Sequence, residues 1–293
     1  MPTLLELRRR TRSVRNTEQI TRAMKMVATA RLRRAQEAIV SARPFAARIL
    51  EVLNSVVVGA KTDSHPLLRE RPPRRVEVVV ITSDRGLCGS FNTNVLKRAE
   101  ILLKSLSEQD VGVRAVGRKG KEHFRRRGVR LVDPLEDIFR ALGYEHAREI
   151  AAPLMARYRR DDPEDPEGLD AIYLVFNEFK NILRQDVRVE RLLPLEKLDL
   201  PGSEDGTTRE FFYEPTEAEI FAELLPRHVE YQIWRALLES VAAEQAARMT
   251  AMDNATKNAS ELIADLTLTM NRVRQAAITK EILEVVGGAE ALD

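Results

Sequence analysis

The sequence predicts a mixed α/β protein. Two long terminal helices pair as an antiparallel coiled coil, and a small α/β domain lies between them in sequence. Three observations predict this. Both ends carry long helical apolar stripes almost free of glycine. The middle alternates short β-branched runs with helical stretches. The ends are also oppositely charged: residues 1–58 hold 12 Lys/Arg against 4 Asp/Glu, whereas residues 211–293 hold 7 against 14. Such segments can face one another. The natural divisions are 1–58, 59–210 and 211–293.

In the first segment, apolar or small residues recur at Ile20, Met24, Ala28, Leu32, Ala35, Ile39, Ala42, Ala46, Ile49, Leu53 and Val56. Intervals of three and four make a helical stripe, and Pro44 is expected to kink it. In the last segment the seam is stricter. Leu238, Ala242, Gln245, Met249, Met252, Thr256, Ala259, Ile263, Leu266, Met270, Val273 and Ala277 alternate by four and three, the a/d pattern of a coiled coil. At 1.5 Å per residue the helices would span roughly 80 and 105 Å. Both meet the same middle segment, so a pair formed from them must be antiparallel.

In the middle, Val76–Thr82 reads as a buried strand, followed by a turn-like run, Ser83 to Gly89, and a helix from Asn92 to Leu106. Val111–Gly117 is a second strand and Arg118–Arg127 a basic helix. Val129–Val132 reads as a short strand and Leu135–Tyr158 as mostly helix. Asp170–Phe176 is a further strand, and Val187–Leu193 an edge strand. This order predicts a mostly parallel, doubly wound, Rossmann-like sheet.

Several function classes are weakly supported. The net charge of +2 lacks the basic excess of a nucleic-acid binder, and Arg8–Arg10 and Arg125–Arg127 lack interleaved aromatics. One cysteine, Cys88, excludes a disulfide framework. His65, His123, His146 and His228 have no ligand spacing to one another. No apolar run reaches the roughly 18 residues of a membrane span, and the N-terminus does not read as a secretory signal. Gly112 to Lys119 has the glycine spacing of a P-loop, but Arg118 stands where Lys is required and Lys119 where Ser or Thr is. An enzyme or nucleotide-binding protein built on the α/β domain is the alternative that this near-match supports. Finally, the polar helix from Asn271 to Glu281 ends in an apolar run, Ile282 to Val286, which suggests a socket in a partner.

Three segments resemble a known family. They are Arg8–Gln36, with Asn16 through Val27; Thr82-Ser-Asp-Arg-Gly-Leu-Cys-Gly-Ser-Phe-Asn92; and Ala251 through Ala259, continuing over Arg274–Glu281 to Ala289. The chain is similar to γ subunits of F-type ATP synthases over its whole length. The resemblance implies a central-stalk rotor that couples proton-driven c-ring rotation to conformational cycling of the catalytic β subunits. The subunit itself is non-catalytic and carries no cofactor or metal. Its implied partners are the α, β and ε subunits and the c-ring, with the membrane reached only through the c-ring.

The resemblance also assigns positions. Met24 would face an acidic loop of β. Arg274, Gln275, Thr279 and Glu281 would contact α and β, and Ile282, Val285 and Val286 would turn in the sleeve they form. Phe211, Tyr213 and Glu214 would touch the c-ring. With one cysteine and no room for an insertion, the chain lacks the thiol-regulatory segment of plant chloroplast members. The match begins at the N-terminus with no transit peptide, so the expected location is the cytoplasmic face of a bacterial plasma membrane.

Overall fold

A computed structural model of the chain describes residues 3–57, 65–160, 165, 167–195 and 217–290. The long elements are α1 (Leu4–Val57) and α5 (Glu217–Glu290). Between them lie β1 (Arg75–Ile81), α2 (Phe91–Ser105), β2 (Asp110–Val116), α3 (Arg118–Arg126), α4 (Tyr144–Tyr158), β3 (Ala171–Phe179) and β4 (Gln185–Leu193). Contacts within the chain define two units: Met1–Thr29 with Arg248–Asp293, and Ala30–Ala247.

In the second unit, the sheet order is β2-β1-β3-β4. β2 and β3 flank β1 in parallel, and β4 closes the edge antiparallel to β3. The expected edge strand and mostly parallel sheet are both present. Alternation along β1 explains the two layers. Val76, Val78 and Val80 point to α2 and α3, where Val95, Leu96, Ala99 and Phe124 are buried. Val79 and Ile81 point the other way, onto Ile150, Leu154 and Tyr158 of α4 and Val229, Ile233 and Leu237 of α5. Covering both faces is what a parallel sheet requires.

Two expectations need correction here. The helix expected from Leu135 starts only at Tyr144. Asp137 takes a left-handed φ of 60°, a short 3-10 turn covers Ile138–Arg140, and Gly143 caps α4 in an extended conformation. Val129–Val132 does not extend the sheet as a strand. It contributes one isolated bridge, Val113 to Leu131.

β1 also hides a charge that its apolar neighbours disguise. Glu77 accepts from Arg114 Nε on β2 at 2.7 Å and from the Arg157 guanidinium on α4. The Glu77 and Arg114 side chains are 1% and 2% exposed. Pairing in register sets Glu77 beside Gly112, two residues before Arg114 on β2.

The first unit is an antiparallel helix pair. α1 opens with a capping box: Thr3 N donates to Glu6 Oε2 at 2.8 Å and Glu6 N to Thr3 Oγ1 at 3.3 Å. α1 continues through Pro44 to Val57, and α5 through Pro226 to Glu290.

The α5 seam follows the sequence expectation. Leu238, Ala242, Gln245, Met252, Ala259 and Leu266 are buried, and Met249, Thr256, Ile263, Met270 and Val273 are half-buried. Only Ala277, past the end of α1, is exposed. The α1 seam differs from the expected one. Ile20 is 59% exposed, and Leu7, Thr11, Thr21, Ala28, Leu32 and Ala35 are buried, with Val14, Glu18 and Lys25 half-buried between them. These positions also alternate by four and three, but the seam includes threonines and charges, so an apolar stripe does not find it.

Candidate functional site

Three cross-helix contacts align the pair. Glu18 Oε1 accepts from Ser260 at 2.7 Å, the Thr21 and Thr256 hydroxyls meet at 2.8 Å, and Lys25 Nζ lies 2.6 Å from Asp253 Oδ1. The two residue numbers of each pair total 277 or 278, so residue n of α1 faces about residue 278 − n of α5. Lys257 adds a second contact to Asp253 at 3.0 Å. Hydrogen bonds from Lys25 and then Lys257 hold the Asp253 carboxyl below its ordinary range.

By the same alignment Leu4, the first residue of α1, faces about residue 274. The remaining turns of α5, about 16 residues, continue for roughly 24 Å beyond the start of α1 among the described residues. The tip is apolar in part: Ile282 and Leu283 are 57% and 66% exposed, and Ile278 is also exposed.

Most of the positions singled out in sequence lie here. Arg274, Gln275, Thr279, Glu281 and Ile282 are exposed, and Thr279 donates to the Gln275 carbonyl at 3.0 Å. Val285 and Val286 lie in the same helix. Met24 is half-buried on α1, near the exposed Ile20, Met26 and Val27. Ile20 and Val27, seven residues apart, share an outward apolar face, and sequence reasoning assigned Ile20 to the seam. Phe211, Tyr213 and Glu214 lie outside the described residues.

The α/β unit offers the other candidate site. In such sheets a ligand sits beyond the carboxyl ends of the strands, where the order reverses, here between β1 and β3. Protein fills that place. Cys88 and Phe91 pack against Ala243 of α5 beside Phe179 and Ala247. Ser83 N and the Ser83 hydroxyl engage Asn92 Oδ1 at 3.0 and 3.1 Å.

The near-P-loop is occupied too. A phosphate there would use the free amides at the start of α3. Arg118 N donates to Asp84 Oδ1 at 3.0 Å, Lys119 N to the Ser83 carbonyl at 3.1 Å and Gly120 N to the Thr82 hydroxyl at 2.8 Å. Gly117 has φ 95°, and a Cβ on it would lie 2.3 Å from the Thr82 carbonyl oxygen. Its glycine serves close packing of β1 on α3.

The histidines have structural partners. His65 Nδ1 accepts from Leu67 N, His123 meets Glu100 at 2.7 Å, His146 caps α4 at Gly143, and His228 meets Gln232 at 3.2 Å. Cys88 is buried and its sulfur lies 3.2 Å from Asn92 Nδ2. Among the described residues no three His, Cys, Asp or Glu side chains group as metal ligands.

One titratable group stands out on α5. Glu239 is half-buried, and burial pushes its carboxyl up to about 7, with Glu178 and Glu190 adding to the rise and Arg235 and Lys180 opposing it. The folded state therefore takes up a proton that the unfolded chain, titrating near 4.5, releases. Stability from this group is full below about 4.5 and is lost as pH rises through about 7. His228 acts oppositely: burial lowers it to about 4, so stability is lost as pH falls below 6.5. Glu239→Gln is expected to raise the urea midpoint at pH 8 and leave it nearly unchanged at pH 4.5. An equal rise at both values would exclude a proton-linked origin.

Fold and site together define a class: a protein with one long antiparallel helix pair and one α/β unit whose sheet crevice is filled by its own side chains. A sequence profile described as ATP synthase matches residues 3–292. An ATP synthase gamma chain of Pelotomaculum thermopropionicum is 48% identical, with both chains covered in full. One from Anaeromyxobacter sp. (strain Fw109-5) is 46% identical over the same full extents.

Among solved structures, a chain of the Tetrahymena thermophila mitochondrial ATP synthase central stalk and c-ring structure is 26% identical, with a TM-score of 0.58, covering 80% of this chain and 99% of that one. A chain of the Euglena gracilis mitochondrial ATP synthase shares the fold at a TM-score of 0.69 and 20% identity, covering 99% of this chain and 94% of that one. The chain belongs to the ATP synthase gamma-chain family. Its function is accordingly that of the gamma subunit, the rotor of the synthase's central stalk.

Proposed function

We propose that the chain is a non-catalytic rotor whose helices, and not its sheet, meet the catalytic machinery. The α and β subunits surround the α5 tip, with Arg274, Gln275, Thr279 and Glu281 as polar contacts. Ile282, Val285 and Val286 form the apolar end that turns within them. Met24 and the exposed Ile20 and Val27 face a β subunit from α1. Proton flow turns the c-ring, and the chain turns with it through Phe211, Tyr213 and Glu214 while the base carries ε. The rotating tip offers each β subunit a different face in turn. It biases each site's conformations only by the difference in its contacts with them.

The observation that carries this reading is the tip of α5, which runs past the start of α1 among the described residues and exposes Ile278, Ile282 and Leu283. The filled crevice at the sheet's switch point supports the non-catalytic role. The membrane is reached only through the c-ring, on the cytoplasmic face of a bacterial plasma membrane. Among the described residues no helix is long and apolar enough to cross it.

The test is co-purification with the α and β subunits and ATPase assay with and without the chain. A stable complex with restored multi-site hydrolysis is expected, together with no heat of binding when ATP–Mg²⁺ is titrated into the isolated chain. Micromolar binding by the isolated chain would overturn the non-catalytic reading.

A further inference from the structure

The seam carries more polar chemistry than a coiled coil of this kind needs for stability. Glu18–Ser260, Thr21–Thr256 and Lys25–Asp253 follow one another over two turns. Lys25 and Asp253 stay 43% and 32% exposed, so their ion pair adds little net stability. The layer acts instead on the alternatives.

Apolar positions of the seam recur every seven residues: Met252, Ala259 and Leu266 on α5, Ala28 and Ala35 on α1. Apolar heptads match themselves after a slide of seven. The polar layer does not. A slide one way sets Thr21 against Ile263 and Lys25 against Ser260. A slide the other way sets Thr21 against Met249, Lys25 against Ala246 and Glu18 against Asp253, two carboxylates. Each alternative separates Thr21 from Thr256 and Lys25 from Asp253, and the second sets two carboxylates face to face.

We propose that this three-rung layer is a register lock, whose members are positioning residues that fix the height of the α5 tip relative to Met24. The inference rests on the rotor reading for its consequence but not for its geometry. One heptad of slip moves the tip by about 10 Å along α1, far beyond what a partner contact tolerates. Both helices then transmit torque as one body because neither can slide on the other.

Cysteine pairs read the register. With Cys88→Ser as background, Val14→Cys is combined with Ala264→Cys for the observed register or with Asn271→Cys for one heptad one way, and Leu7→Cys with Ala264→Cys reports one heptad the other way. The parent chain is expected to form the 14–264 link alone. Replacing the layer (Thr21→Val, Lys25→Ala, Asp253→Ala, Thr256→Val) is expected to add a 14–271 or 7–264 link, and proton pumping per ATP in the assembled synthase falls about fivefold.

A chain with the charges reversed (Lys25→Asp, Asp253→Lys, Lys257→Asp) should return to the 14–264 link and recover pumping, which generic destabilisation would not do. Retention of the 14–264 link alone in the layer-free chain overturns the lock. A shifted link with undiminished pumping overturns its positioning role. Failure to assemble with α and β counts against the rotor reading, and the links formed in the free chain then still decide the lock.

Discussion

Deletion of residues 274–293 is expected to leave the complex with α and β assembled while proton-driven ATP synthesis falls about tenfold or more. The register of the helix pair is the reason for the first half. The three cross-helix hydrogen bonds, Glu18–Ser260, Thr21–Thr256 and Lys25–Asp253, all lie before residue 274, as does the buried α5 seam from Leu238 to Leu266. The deletion therefore removes only turns past the start of α1. The second half follows from what those turns expose. Ile278, Ile282 and Leu283 present aliphatic surface worth roughly 1.5–3 kcal/mol each when fully covered. The tip biases a catalytic site only through unequal contacts with its states. Losing about 1.4 kcal/mol of that difference is a tenfold change. Synthesis rates in reconstituted vesicles, normalised to assembled complex, measure it. Full synthesis by the shortened chain would show that torque is delivered elsewhere, with the Ile20–Val27 face of α1 the next surface to vary.

Glu77→Ala is expected to be the most destabilising single change in the α/β unit, by about 3–5 kcal/mol. The substitution removes the carboxylate that Arg114 and Arg157 share, in the middle of a sheet covered on both faces. Arg114, 2% exposed, is left with two long contacts to Asp133, 3.4 Å to its exposed carboxylate and 3.5 Å to its carbonyl. An uncompensated buried guanidinium costs far more than the pair itself contributes. Replacing both partners with apolar residues of similar size, Glu77→Leu with Arg114→Met, is expected to recover most of the loss. Trp234, the chain's single tryptophan, packs against the core on the same face, so its fluorescence follows this unfolding. Equal losses in the single and double variants would mean that the charge is not what Glu77 supplies.

Legibility differed between the two long helices for a physical reason. The α5 seam was plain because nearly all its positions are apolar or small in strict alternation, so periodicity and burial coincide. In α1 the apolar residues and the buried residues separate. Thr11 and Thr21 are buried because hydroxyls satisfy themselves on carbonyls one turn back and across the seam, and Ile20 is left outside. A polar partner on the other helix, 235 positions away for Thr21, leaves no trace in a local window.

The base shows the same division. β1, β2 and β3 were recognisable from β-branched runs, and the edge strand from its mixed face. The Glu77–Arg114 pair required the register of two strands 37 residues apart. The near-P-loop at Gly112–Lys119 had glycine spacing in its favour. Its meaning turned on Thr82, Ser83 and Asp84, which occupy the amides that a phosphate would need.

By itself the sequence determined the types of the two long helices and the four sheet strands, the order of those strands along the chain, the antiparallel sense of the terminal helices and the family. Each of these follows from local periodicity, chain connectivity or long contiguous motifs. Only the tertiary structure decided which face of α1 is the seam, where the helix pair is locked in register, how far α5 runs past the start of α1 and whether the sheet's crevice is open. Those properties depend on which distant side chains meet, and burial and hydrogen bonding are decided by that meeting.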